Sequence, residues 1–233
     1  MKIKGLQKLT LIDYPGKLAC TIFLFGCNFR CGFCHNPELV LNKLGGNISE
    51  QEVLDFLEKR KKYLEGICIT GGEPLLTLEK NFLEKIKSLG YKIKLDTNGS
   101  FPEKLEEFVS EGLIDFVSMD IKSSKENYLK VSNSKIEIEK IEKSIKLISG
   151  LKDYEFRTTI LEEIHTTEEM EKIGKWLNEL IGKRPKKYFL QGFKNNGKFI
   201  DQKYQNKIDV TEVFLERLKQ KIECYFEEVG IRV

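Results

Sequence analysis

Long hydrophobic runs are missing from this sequence. No apolar stretch approaches the roughly 20 residues that a membrane-spanning helix needs, so no helical span is expected. The start, Met1 to Lys8, is strand-like and has no extended apolar core of the kind a secretory leader carries, which points to a reducing cytoplasm. No Pro- or Ser-rich stretch and no low-complexity segment divides the chain, so a single domain over residues 1–233 is expected. A basic surplus is missing too. Lys and Arg number 39 against 36 Asp and Glu, a net charge of +3, whereas proteins that chiefly bind nucleic acid usually show a clustered basic excess. The short runs Lys59-Arg60-Lys61-Lys62 and Lys183 to Lys187 read as solvated faces.

What the chain does have is a repeating unit of apolar strand, polar turn and amphipathic helix, the mark of β-α units on a parallel sheet. Residues 1 to 13 read as a strand or hairpin leading to the turn Tyr14-Pro15-Gly16, and Leu18 to Phe25 as a strand covered on both faces. Ser49-Glu50-Gln51-Glu52 is a capping box opening a helix to about Leu64. Strands follow at Ile67–Thr70, Tyr91–Asp96, Asp115–Asp120, Tyr154–Ile160 and Lys187–Gln191, with helices near 78–89, 102–112, 135–149, 166–181 and 210–222 and a closing strand in the tail from Glu223. Six repeats are two fewer than a full (β/α)8 barrel, so the predicted α/β fold is a partial, laterally open (β/α)6 TIM-like barrel. In such barrels the chemistry gathers at the C-terminal ends of the strands.

One loop at such an end stands out: Cys27-Asn28-Phe29-Arg30-Cys31-Gly32-Phe33-Cys34-His35-Asn36-Pro37. Cys31-x2-Cys34 with His35 would make half of a zinc knuckle, but a second half is missing, and His165 has no ligand near it in sequence. Nothing suggests the export that a disulfide pair would need. A closed [4Fe-4S] or structural zinc site takes four ligands, so three cysteines leave a coordination position open, where a substrate or cofactor can bind. An iron-sulfur cluster with one open iron is the reading these residues favour. Cys20 and Cys68 lie in apolar strands and read as core.

The x3-x2 cysteine spacing with Phe33 before the third cysteine resembles the signature of the radical S-adenosylmethionine (radical SAM) superfamily. The wider context, Asp13-Tyr14-Pro15-Gly16, Phe25 to Cys31 and Cys34-His35-Asn36-Pro37-Glu38, is similar to the activating enzymes of glycyl-radical proteins, nearest to those of anaerobic ribonucleoside-triphosphate reductase. Activators of pyruvate formate-lyase are the neighbouring group. At Gln191-Gly192-Phe193-Lys194 the chain departs from a histidine-bearing pattern of that group, which favours the reductase branch.

The resemblance implies a [4Fe-4S] cluster on Cys27, Cys31 and Cys34, with the fourth iron chelating S-adenosylmethionine. It places Gly71-Gly72-Glu73-Pro74 at the methionine amino group, with the glycines allowing close backbone approach, and Asp96 and Asn98 at S-adenosylmethionine as well. Lys122 and Arg157, cations at strand ends, would meet the carboxylate. Asp96 and Asp120, with the Thr97 and Ser118 carbonyls, would form a monovalent-cation site. One-electron reduction would then release a 5′-deoxyadenosyl radical that takes hydrogen from a glycine Cα of a partner, with a low-potential donor such as flavodoxin or ferredoxin. That chemistry needs no acid-base dyad, and none is found. A radical SAM enzyme acting on a small molecule or RNA is the rival expectation.

Overall fold

A computed structural model describes residues 1–41 and 45–233. Its strands are β1 (Ile3–Thr10), β2 (Ala19–Leu24), β3 (Gly66–Gly71), β4 (Lys92–Thr97), β5 (Phe116–Asp120), β6 (Tyr154–Ile160), β7 (Lys187–Gly192) and β8 (Glu228–Arg232), in sequential order in one mostly parallel sheet. The order has two ends rather than closing into a ring, so the fold is the open, partial α/β barrel. The six repeats anticipated are flanked by β1, antiparallel to β2, and by β8, parallel to β7. The helices are α1 (Pro37–Val40), α2 (Glu50–Arg60), α3 (Lys80–Ser88), α4 (Pro102–Ser110), α5 (Tyr128–Ser132), α6 (Ile138–Ser149), α7 (Thr167–Ile181) and α8 (Glu212–Ile222). No helix of the described residues is long and apolar enough to cross a membrane.

The chain divides into two units, each described by itself. The first comprises Met1–Asn28, Asn36–Thr97 and Glu103–Val117. Its β2 is buried along most of its length, as a continuous apolar run should be, and pairs in parallel register with β3, Cys20 opposite Ile67 and Leu24 opposite Gly71. α2 begins where the sequence placed it: the Ser49 hydroxyl accepts from the Glu52 amide at 3.1 Å while Glu52 accepts from the Ser49 amide at 2.7 Å. Its buried stripe is narrow, with Val53 and Leu57 covered and Leu54 and Phe56 only half-covered. α3 covers Phe82, Leu83 and Ile86, whose i, i+1, i+4 spacing puts them on one face.

The Asp13-Tyr14-Pro15-Gly16 stretch locks the N-terminal end of β2. Asp13 accepts a hydrogen bond from the Thr21 hydroxyl. Tyr14 is buried, 6.0 Å from Phe116 ring to ring, and fills the space beside Gly66, where a Cβ would lie 2.8 Å from the tyrosine ring. The cysteine loop leaves the other end of the strand.

The second unit comprises Phe29–His35, Asn98–Pro102 and Ser118–Val233. β6 and β7 pair in parallel, Phe156 opposite Tyr188. α6 buries Ile141, Ile145 and Ile148, and α7 buries Met170, Ile173 and Leu177, each side chain contributing about 1.5–3 kcal/mol when fully covered. α7 is capped by Thr166, whose hydroxyl accepts from the Glu169 amide, and ends at Gly182, whose left-handed φ of 75° suits glycine. α5, five residues long, was not anticipated; so short a helix presents no readable periodicity.

Candidate functional site

In the first unit the Gly71-Gly72-Glu73-Pro74 turn clasps the start of the cysteine loop. The Gly72 amide donates to the Leu24 carbonyl at 3.1 Å and the Glu73 amide to the Gly26 carbonyl at 2.7 Å. A Cβ on Gly71 would lie 2.2 Å from the Leu24 oxygen and one on Gly72 2.0 Å from the Gly26 oxygen, so only glycine permits this approach. Glu73 is fully buried: its carboxylate accepts from the Leu75 amide at 3.0 Å, starting a short 3-10 turn at Pro74, and from the Thr97 hydroxyl at 2.9 Å. Those bonds tie the ends of β3 and β4 together.

Asp96, the penultimate residue of β4, accepts a hydrogen bond from the Lys94 ammonium. Lys94 is only 2% exposed. Its register partner on β3 is Cys68, whose Sγ lies 3.8 Å from Nζ, and the Phe116 ring centroid is 6.0 Å away. Nothing in the sequence alone marked Lys94 as an interior residue.

In the second unit the segment Phe29–His35 is clamped on two sides. The Arg30 amide donates to the Ser132 carbonyl at 3.1 Å, and Asn133, at the left-handed C-cap of α5, donates to the Arg30 carbonyl at 3.3 Å. On the other side the Asp201 amide donates to the Gly32 carbonyl at 3.0 Å, and the Phe33 ring meets Tyr204 nearly edge-on at 5.9 Å. The Cys34 amide closes a turn onto the Cys31 carbonyl. His35, whose buried Nε2 makes no hydrogen bond, packs against Phe193 at 5.5 Å and Phe199 at 6.0 Å; burial lowers its pKa. Asn98 accepts from the Ser100 amide and hydroxyl at 3.0 and 2.6 Å, an Asx turn after β4.

All six cysteines are thiols. The Cys31 thiol is buried and donates to the Ser132 carbonyl at 3.6 Å. Burial pushes its pKa up to about 11, opposed by the positive charge of nearby Lys122. Cys27 and Cys34 are half-exposed. Among the described residues no three Cys, His, Asp or Glu side chains form a ready-made metal cage. Three thiols within eight residues of one loop nonetheless match in chemistry what an iron-sulfur cluster takes.

Asp120 ends β5 and holds two cations, Arg157 Nε at 2.6 Å on Oδ1 and Lys122 Nζ at 3.1 Å on Oδ2. Burial works to raise the Asp120 pKa, but the Arg157 and Lys122 charges outweigh it and hold the carboxyl well below the usual range. For Lys122, burial opposes the charge and Asp120 outweighs it, so its pKa is raised. A second network, unseen in the sequence, fixes the chain that carries Lys122. His165 accepts from the Leu161 amide at Nδ1, so Nε2 carries the proton and donates to the Lys122 carbonyl at 3.0 Å. Glu169 accepts from the Ser123 hydroxyl at 2.5 Å, the Ser124 amide at 2.9 Å and Asn127 at 2.9 Å. Beside the segment Phe29–His35 lies a cavity of about 800 Å³ whose lining includes Arg30, Lys130, Lys203 and Lys207 against the acidic Glu163 and Asp201.

Residues 21–180 match the family model of the Radical SAM superfamily, and the chain belongs to that superfamily. It is a radical SAM enzyme, of a family that uses a [4Fe-4S] cluster and S-adenosylmethionine. Among its relatives is a Methanocaldococcus jannaschii protein provisionally assigned as a glycyl-radical enzyme activating enzyme, 35% identical over 188 residues, with 76% of this chain and 75% of that one covered. The pyruvate formate-lyase-activating enzyme of Listeria monocytogenes is 30% identical over 145 residues, covering 56% of this chain and 57% of the relative. A radical SAM methyltransferase from Sphaerobacter thermophilus shares the fold at a TM-score of 0.71, 13% identity, and coverage of 96% of this chain and 68% of that one.

Proposed function

We propose that this enzyme activates a glycyl-radical protein, most fittingly an anaerobic ribonucleoside-triphosphate reductase. Cys27, Cys31 and Cys34 would hold the [4Fe-4S] cluster. With S-adenosylmethionine bound, that cluster supplies a 5′-deoxyadenosyl radical able to take hydrogen from a glycine Cα. The observation that carries the assignment is Lys122: a half-buried cation just past the end of β5, close enough to Cys31 to act on its thiol, is where a carboxylate-bearing ligand beside the cysteine loop would be met. Arg157 shares Asp120 with it and would steer the same carboxylate. Gly71, Gly72, Glu73 and Pro74 would offer backbone oxygens to the amino group, with Glu73 holding the turn rather than the ligand. Phe33, Asp96 and Asn98 would wall the nucleoside end. We also infer one radical SAM domain, since the matched residues 21–180 draw on both units.

The choice of partner rests on Cys34-His35-Asn36-Pro37 and on Gln191-Gly192-Phe193-Lys194. The structure links these two stretches through the His35–Phe193 contact. Asp13 to Gly16 carries less weight than its resemblance suggested, because its side chains are engaged in locking the far end of β2. The cationic cavity beside Arg30 suits an acidic low-potential donor of the flavodoxin or ferredoxin class. After anaerobic reconstitution with iron and sulfide and reduction, the enzyme should convert S-adenosylmethionine to 5′-deoxyadenosine and give the reductase a glycine-centred EPR doublet. A doublet only with a formate-lyase-type partner, the reading favoured by the Listeria relative, would reassign the partner. No doublet with any glycyl-radical protein, alongside turnover of a small metabolite or RNA, would defeat the activase reading.

A further inference from the structure

The monovalent-cation site anticipated at Asp96 and Asp120 does not fit the donors found there. A bound Na⁺ or K⁺ needs carboxylate oxygens with lone pairs turned toward it. Asp96 Oδ1 already receives the Lys94 ammonium. In the second unit, taken by itself, Asp120 Oδ1 receives Arg157 and Oδ2 receives Lys122. A metal ion added at either carboxylate would stand against a fixed positive charge already bonded to the same group.

We propose that the Lys94 ammonium takes the place of a bound monovalent cation on Asp96, so that this chain binds S-adenosylmethionine without Na⁺ or K⁺. The proposal rests on the S-adenosylmethionine-dependent reading above. Lys94 is a positioning residue: it sets the charge and orientation of Asp96 and touches no reacting atom. Three features support it. An ammonium carries the charge of K⁺ and is close to it in size. It is delivered by the strand itself, since Lys94 and Asp96 are two residues apart on β4 and therefore on one face. Its neighbours include the Cys68 sulfur at 3.8 Å and the ring of Phe116 at 6.0 Å, an acceptable setting for an ammonium lying by an aromatic ring.

The test compares S-adenosylmethionine affinity of the reconstituted enzyme in NaCl, KCl and choline chloride at equal ionic strength. The wild-type enzyme should bind equally, within about twofold, in all three. A loss of about tenfold or more in choline would overturn the proposal without any variant. Lys94→Met, which keeps length but not charge, should lose about tenfold in choline and recover in KCl or NaCl. Thallium(I) NMR should then show a bound ion in Lys94→Met and none in the wild type. A Lys94→Met enzyme with normal iron content whose affinity ignores the salt would reduce Lys94 to an ordinary core ion pair. If the wild-type enzyme binds no S-adenosylmethionine in any salt, the activase reading fails. The thallium titration of the wild type still decides the proposal, a bound ion there overturning it.

Discussion

Asp96 and Asp120 lie at the C-terminal ends of strands that are neighbours in the chain order, and each is bonded to basic side chains, yet these differ in kind and in depth. Asp96 receives a lysine that is 2% exposed, set against the buried sulfur of Cys68. Asp120 receives a lysine and an arginine whose side chains each keep 16% exposure, and the lysine is felt by the thiol of Cys31. Depth separates the roles. A cation sealed from solvent can balance its carboxylate but cannot meet a ligand, whereas one at a partly open strand end can do both.

Each lysine has a cysteine beside it, and exchanging those cysteines gives the largest expected contrast. Cys31→Ala should abolish the cluster, as should Cys27→Ala and Cys34→Ala, and with it all 5′-deoxyadenosine formation. Cys68→Ala should leave iron content unchanged and cost only about 1 kcal/mol of packing, read from urea unfolding. Loss of iron on replacing Cys68, Cys20 or Cys224 would reveal a fourth ligand and end the open-iron argument.

Removing the carboxylates themselves comes next. Asp120→Ala deprives two cations of the group they share and should destabilise by about 3 kcal/mol, the lower end for breaking a buried ion pair because the site is partly open. Asp96→Ala should cost a similar amount at neutral pH. The folded pKa of Asp120 lies below its ordinary 3.8, so its contribution is present above that value and is lost as pH falls below it. The acid limb of the wild-type stability curve should therefore be steeper than that of Asp120→Asn. Parallel curves would mean that Asp120 titrates alike in both states.

Much of this was legible in the sequence, for reasons that also explain the gaps. β2 read clearly because a strand covered on both faces must be apolar throughout, and α2 because its capping box is local chemistry. The cysteine spacing identified the loop. Lys94 was not legible: a period of two says which side chains share a face, not how deep that face lies. Lys92, Lys94 and Asp96 share one face of β4, which runs from an exposed Lys92 paired with Asp115 at 2.8 Å to a sealed Lys94. The His165–Lys122 and Glu169–Ser123 bonds join positions about 45 residues apart, a pairing that composition and periodicity do not record.

A smaller effect is expected from Lys122→Ala. If Lys122 meets the carboxylate of S-adenosylmethionine, its loss should weaken binding by about tenfold, or 1.4 kcal/mol, with the iron content of the reconstituted enzyme unchanged. Arg157 still reaches Asp120 in that variant, which is why abolition is not expected. Unchanged affinity would leave Lys122 as a partner of Asp120 alone and would erase the functional half of the contrast with Lys94.

The smallest effect sharpens the comparison from outside it. Lys80 and Glu111 form the same lysine–carboxylate contact, Nζ to Oε1 at 2.6 Å, a shorter distance than Lys122 to Asp120. Both partners are well exposed, 40% and 38%, so water and salt screen the pair and each side chain gives up rotamer freedom to hold it. If distance governed the strength of these pairs, Lys80→Ala would be more costly than Lys122→Ala. If burial governs, it should shift the melting temperature by less than the scatter between repeated scans, and S-adenosylmethionine affinity should not move. A melting shift as large as that of Lys94→Met would show that depth is not what distinguishes the two aspartate groups.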